Sequence, residues 1–236
     1  MKKHKMTKRL ILALGIIGLS VTGVRADSVN EKEITYADPT IYVENGKYYL
    51  TGTRNQEPQG FAILESTDLE HWTVPDDTSL QLILRKGDQT YGEKGFWAPQ
   101  YFKDKRTYYF TYTANEQTVI ASSKSVFGPF RQKEVKPIDA SAKNIDSFLF
   151  KDDDGKYYLY HVRFNKGNYL WVAEFDIKKG SIKPETLKQC MDCTEPWEKT
   201  PNYKSAPVME GPTVMKWDGV YSVSYTHLTL PTKLEV

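Results

Sequence analysis

One pattern recurs four times along this chain and limits its folding more than any other feature. DPTIYVENGKYYLTGT (38–53), APQYFKDKRTYYFTYT (98–113), DSFLFKDDDGKYYLYHV (146–162) and GPTVMKWDGVYSVSYT (211–226) share one plan. Each reads as an apolar strand, a polar turn rich in Gly, Asp or Lys, and an aromatic-rich strand, which is a β-hairpin signature. Consecutive units start 60, 48 and 65 residues apart, and the intervals hold further strand-like runs such as GFAILESTD (60–68), QTVIASSKS (117–125) and YLWVAEFD (169–176). A hairpin plus two more strands per period makes a repeated four-stranded sheet, and sheets repeated at this period predict a β-propeller. The fourth unit barely begins. The expectation is therefore an all-β, incomplete propeller of about three and a half blades.

The ends of the chain differ from its middle. Lys2, Lys3, Lys5, Lys8 and Arg9 precede the apolar run LILALGIIGLSV (10–21), and Val24-Arg25-Ala26 offers a small-x-small cleavage pattern. Residues 1–26 thus read as an export signal, too short in its apolar part to span a bilayer comfortably. The mature protein is expected to be secreted or periplasmic, with no membrane association after signal cleavage. At the other end, VSYTHLTLPT (223–232) resembles the in-frame translation of a sequencing-library adapter, which places the end of native sequence near Ser222. The formal net charge of +2 comes from the signal: residues 1–26 carry six basic and no acidic residues, leaving −4 on the remainder. Nucleic acid and anionic membrane are poor partners for such a surface.

Three acids fall at the starts of repeats. Asp38 opens the first unit in ADPTI, Asp146 opens the third in NIDSF, and Glu210 immediately precedes the fourth in MEGPT. The first strand of every propeller blade lines the central channel, so matching positions on different blades point into one volume. One acid alone at an Asp-Pro or Glu-Gly-Pro is an ordinary turn feature. Three at corresponding places predict a carboxylate cluster in a funnel. Glycosidic cleavage needs this arrangement: one carboxyl protonated to serve the leaving oxygen, another ionised to act on water or carbon. Repulsion from a third carboxylate keeps the acid protonated near neutrality.

ADPTI, FWAP (96–99), IDSFLFKDDDGKYYLYHVRF (145–164) and EGPTVMKWDG (210–219) together resemble glycoside hydrolase family 43, over residues 36 to 222. The resemblance implies a five-bladed β-propeller that cleaves arabinofuranosides and xylosides of plant cell-wall oligo- or polysaccharides with inversion. It implies Asp38 as general base, Glu210 as general acid and Asp146 as the aspartate that tunes and orients the acid. No cofactor is required for that chemistry, although complete members carry a structural calcium. The chain departs from the family at Ser147, where many members have Pro, and in lacking the later blades. The organisation that follows is a signal at 1–26, a catalytic propeller at 27–222 and a non-native tail at 223–236. Fructan-cleaving propellers, which place their nucleophile in N-D-P-N-G and an arginine before the middle acid, fit less well. A non-catalytic carbohydrate-binding propeller would have lost one of the acids.

Further residues carry weaker signals. Trp97 and Phe96 stand at the rim of the acids as candidate sugar-stacking residues, and Arg163 as a donor to sugar hydroxyls. His161 reads as packed, and with His71 it leaves no basis for a histidine metal site. Asp152-Asp153-Asp154-Gly155 reads as a Gly-closed turn, because an EF-hand needs spaced ligands and a closing Glu. Cys190 and Cys193, in CMDC, allow a local disulfide or two thiols. Trp197, in the Pro-rich loop 194–207, is a candidate cover for the substrate entrance.

Overall fold

A computed structural model of the chain describes residues 34–75, 82–198 and 207–227. The stretch read as an export signal, residues 1–26, and the final nine residues lie outside them. The described residues form strands joined by turns, with short 3-10 turns at Pro184–Thr186 and Pro196–Glu198 as the helical elements. None of their helices is long and apolar enough to cross a membrane.

Each of the four repeats folds as an antiparallel hairpin and begins a separate sheet. The first sheet pairs β1 (Ala37–Glu44), β2 (Lys47–Thr53) and β4 (Leu64–Ser66), while a short ladder joins β3 (Gly60–Ala62) to β5 (Leu82–Arg85). The second pairs β6 (Trp97–Asp104), β7 (Thr107–Ala114) and β8 (Gln117–Ser123). The third contains β9 (Asn144–Lys151), β10 (Tyr157–Phe164), β11 (Asn168–Asp176), β12 (Ser181–Ile182) and β13 (Lys188–Met191). The fourth is the hairpin of β14 (Met209–Trp217) and β15 (Val220–His227). The boundary expected at Ser222 therefore falls inside β15, where Val223 and Tyr225 pack on the cluster of Val162, Leu170, Cys193 and Met209.

The first strands β1, β6, β9 and β14 stand side by side in succession, as strands around a propeller axis do. The blades are joined by aromatic packing and by charge. Phe61, Phe96, Phe110, Tyr112 and Phe130 fill the core between the first two sheets, and Leu149, Leu159, Ala173 and Phe175 that of the third. At the hairpin tips, each joint has a lysine reaching an acid of the preceding blade. Lys103 binds Glu44, Lys151 binds Asp104 at 2.7 Å, and Lys216 binds Asp152 at 2.6 Å. The Asp152–Gly155 segment is the Gly-closed turn expected, with Gly155 at φ 79° and its N–H donating to Asp152 O at 2.9 Å.

The two flanks of the array are different. Tyr42 stacks on Tyr101 of the second blade, so strand alternation turns Ile41 and Val43 outward, where both are exposed. Lys216 faces the third blade, and Met215 and Trp217 likewise turn away from it and are exposed.

Candidate active site

A bulge at the same place in every first strand builds the site. Pairing with the second strand skips from Ala37 to Thr40, from Trp97 to Gln100, from Ile145 to Phe148 and from Glu210 to Thr213. The first skipped residue has positive φ in each case: Asp38 46°, Ala98 45°, Asp146 50° and Gly211 60°. Gly is at ease there, Asp tolerates it through its short polar side chain, and Ala carries strain. The second skipped residue is Pro39, Pro99, Ser147 or Pro212. Proline suits a bulge because no ladder hydrogen bond is lost. Ser147 is the exception.

This alignment sharpens the expectation that the three acids fall at matching places, with Glu210 immediately preceding its unit. Asp38 and Asp146 do, together with Ala98 and Gly211. Glu210 stands one residue earlier, at the place held by Ala37, Trp97 and Ile145 in the other blades. The bulge is the physical reason the offset is harmless: by breaking strand alternation it lets consecutive residues both serve the channel mouth.

A cavity of about 280 Å³ opens where the bulges meet, lined by Asp38, Asp146 and Gly211 with Gln100, Ser147 and Thr226 among its other walls. Among the described residues, none of those lining it is basic. Burial raises the carboxyl of Asp146, with repulsion from Glu210 and then Asp38 adding to it, and the three carry it up to about 7 against a weaker opposing effect from the Gly211 N–H. Glu210 is also raised, by burial first and by Asp38, against a hydrogen bond from Asn168 that lowers it. Asp146 thus holds its proton to near neutral pH, and Glu210 behind it is made a weaker acid by the same burial. The structure brings all three acids into one electrostatic unit.

Hydrogen bonds tie this unit to neighbouring blades. Thr53 donates its hydroxyl to Asp38 Oδ2 at 2.7 Å and accepts the N–H of Ala98, in the next blade, at 2.8 Å. Thr113, at the equivalent place in the second blade, accepts the Asp146 N–H at 3.1 Å. The third blade has Val162 there, which has no hydroxyl, and Asp146 Oδ2 itself accepts the Gly211 N–H at 3.1 Å. Thr53, Thr113 and Asn168 were missed in the sequence. A T-x-T near the end of the second strand of the first two repeats was the available signal for the threonines.

The remaining candidates separate. Trp97 is 38% exposed and precedes Ala98 of the cavity wall without itself lining the cavity, its indole laid against Gly95, whose φ is 68°. Phe96 is not a sugar-facing residue: it is 4% exposed and its ring stacks on Tyr112 in the core. Arg163 does not reach the cavity either, since its guanidinium is bound to Asp139 and to Ser141 and lies over the Trp171 ring. The aromatic and carboxylate neighbours consume the donors that sugar hydroxyls would have used. His161 is fully buried, and burial and then Arg163 push it down to about 4, so it stays neutral. Cys190 is an exposed free thiol, whereas Cys193 packs with Val162, Leu170 and Met209. Trp197 lies in the Pro196–Glu198 turn, and its side chain is outside the described residues. Among the described residues, no group of three or more His, Cys, Asp or Glu is placed to hold a metal ion.

The chain was compared with known proteins on this footing. The family model described as Glycosyl hydrolases family 43 matches residues 32–231. An extracellular endo-alpha-(1->5)-L-arabinanase 1 of Bacillus subtilis (strain 168) is 28% identical over 202 residues, covering 78% of this chain and 61% of the relative. A xylosidase/arabinosidase of Butyrivibrio fibrisolvens is 28% identical over 198 residues, covering 79% of this chain and 36% of the relative. Among solved structures, an endo-1,4-beta-xylanase of Bacteroides thetaiotaomicron VPI-5482 superposes with TM-score 0.73 at 39% identity, covering 82% of this chain and 64% of that one. A thermostable family-43 glycoside hydrolase superposes with TM-score 0.70 at 27% identity, covering 82% and 64%. The chain thus spans between about a third and two thirds of the length of these relatives.

Proposed function

The chain belongs to glycosyl hydrolases family 43, and on that premise we propose that it is the carboxylate-bearing part of an exported enzyme cleaving α-L-arabinofuranosyl or β-D-xylosyl linkages of plant cell-wall polysaccharides. The observation that carries this reading is the cavity where Asp38, Asp146 and the Glu210–Gly211 bulge meet with no cation to neutralise them. Repulsion in such a cluster retains a proton at working pH while leaving other carboxylates ionised, the split that acid and base roles demand. Names of relatives support the linkage classes: arabinan, xylan and mixed xyloside/arabinoside cleavage all occur among them.

The mechanism proposed is single displacement. Asp38, oriented by Thr53, takes a proton from a water beneath the anomeric carbon, the water oxygen bonds that carbon, and the glycosidic C–O bond breaks. Glu210 gives its proton to the departing oxygen. Base and acid in such enzymes stand roughly 6.5–9.5 Å apart, leaving room for the water. Asp146 accepts the Gly211 N–H, so its carboxyl holds the backbone that presents the acid. Trp97 offers an exposed ring face to the apolar side of a sugar. No step requires a metal. For the calcium that the family resemblance implies, the described residues offer no group of three or more His, Cys, Asp or Glu, and none of these steps runs through it.

The decisive experiment assays the chain on p-nitrophenyl α-L-arabinofuranoside, p-nitrophenyl β-D-xyloside, arabinan and xylan, beside Asp38→Asn and Glu210→Gln. Activity on at least one substrate that falls by about 10²-fold or more in both variants supports the reading. Hydrolysis indifferent to both substitutions overturns it.

A further inference from the structure

Glu210 has a neighbour whose role the repeat pattern does not announce. Asn168 opens β11 directly after the turn at 165–167, and its Nδ2 donates to Glu210 Oε1 at 2.5 Å. The contact is held from several sides. The Asn168 backbone N–H donates to Pro207 O at 2.8 Å, and Asn168 forms a parallel bridge with Val208, two residues before Glu210. Gly167 makes room for this approach: it has φ 151°, and a Cβ there would stand 2.8 Å from Pro207 O. The turn of the third blade and the strand entering the fourth are therefore locked where amide meets carboxyl.

A protonated carboxyl has one oxygen that carries the proton and one left to accept hydrogen bonds. Building on the glycosidase reading above, we propose that Asn168 is a positioning residue that occupies Glu210 Oε1, so that the proton delivered to the departing oxygen is carried on Oε2. As that proton leaves, the O–H bond of Glu210 breaks and the O–H bond of the leaving alcohol forms. The carboxylate left behind keeps the amide donor, and a hydrogen bond to a charged acceptor is the stronger one. Asn168 also opposes burial and the Asp38 charge, which together make Glu210 a weaker acid. The charged group that acts on Glu210 is Asp38 of β1, while Glu210 itself raises the carboxyl of Asp146 of β9.

The test compares wild type, Asn168→Ala, Asn168→Asp and Glu210→Gln on a p-nitrophenyl glycoside, whose leaving group departs with little protonation, and on the matching oligosaccharide. Asn168→Ala should lower kcat on the oligosaccharide by about tenfold, with a smaller loss on the nitrophenyl substrate and little change in KM. The alkaline limb of the pH profile should move to higher pH in Asn168→Ala, and further in Asn168→Asp, which adds a negative charge beside the acid. Equal losses on both substrates with an unmoved alkaline limb overturn the proposal. The Asp variant has the same shape as Asn and decides alone should the Ala variant fail to fold. An oligosaccharide rate unchanged by Glu210→Gln would instead remove the glycosidase reading on which the inference rests.

Discussion

The two ends of the first strands handle charge in opposite ways. At one end the bulges bring Asp38 and Asp146 to the wall of a cavity that no basic residue lines among the described residues, with Glu210 one residue behind its Gly211 wall. Six residues along β1, roughly 20 Å of strand, Glu44 meets Lys103, and the same pairing recurs as Asp104 with Lys151 and Asp152 with Lys216. The same repeat thus carries neutralised carboxylates where blades must stay together and unneutralised ones where a proton must be held. Repulsion is tolerated at the mouth because the tips and the aromatic core hold the blades against it, a common trade between stability and activity.

Removing a charge at the crowded end should affect chemistry most. Glu210→Gln and Asp38→Asn are expected to lose about 10²- to 10⁴-fold in kcat, measured as oligosaccharide turnover, with thermal midpoints no lower than wild type. Asp146→Asn should show the stability side of the comparison. Its carboxyl holds a proton up to about 7 in the fold but only to 3.8 when unfolded, so the folded state binds more protons between those values. Stability therefore falls as pH rises from about 4 to about 7, and the uncharged variant escapes that loss. Denaturant titrations should find the two proteins alike near pH 4 and the variant more stable above pH 7, by a few kcal/mol and at most about 4.

Smaller effects follow where the two ends are tied to the scaffold. Thr53→Val keeps the side-chain shape but strips Asp38 of a donor and Ala98 N–H of its acceptor. It should cost about 1–2 kcal/mol in urea unfolding and reduce kcat with KM little changed. Lys103→Ala, at the paired end, should lower the urea midpoint less than Thr53→Val does and leave kcat untouched. A kcat loss in Lys103→Ala comparable with that of Thr53→Val would erase the distinction between the two ends.

Much of the architecture was readable because it repeats. Hairpins announce themselves through alternation and Gly- or Asp-containing turns, and four copies fix a propeller plan. The bulge was not readable as a bulge, since register is a property of two strands and the letters D-P, A-P, D-S and G-P show only one. That is why the one-residue offset of Glu210, visible in MEGPT, could not be read as a difference in register. Phe96 and Arg163 were misjudged for a related reason: sequence distance to an acid says nothing about which way a side chain turns, and ring stacking on Tyr112 and the ion pair to Asp139 decide it. Asn168 looks like turn chemistry in NKGN. Only the strand arriving from 42 residues later gives its amide a carboxyl to hold.

The outward faces of the first and fourth sheets follow another rule than the joints between them. Val43 and Trp217 occupy the strand places where the inner joints put a lysine or an acid, and both lie open with Ile41 and Met215 beside them. Any surface that closes on these flanks must do so through oil-like contact. Such a seam would tighten under sulfate while the lysine-stapled joints slacken, giving the ring two kinds of hinge with opposite responses to ionic strength.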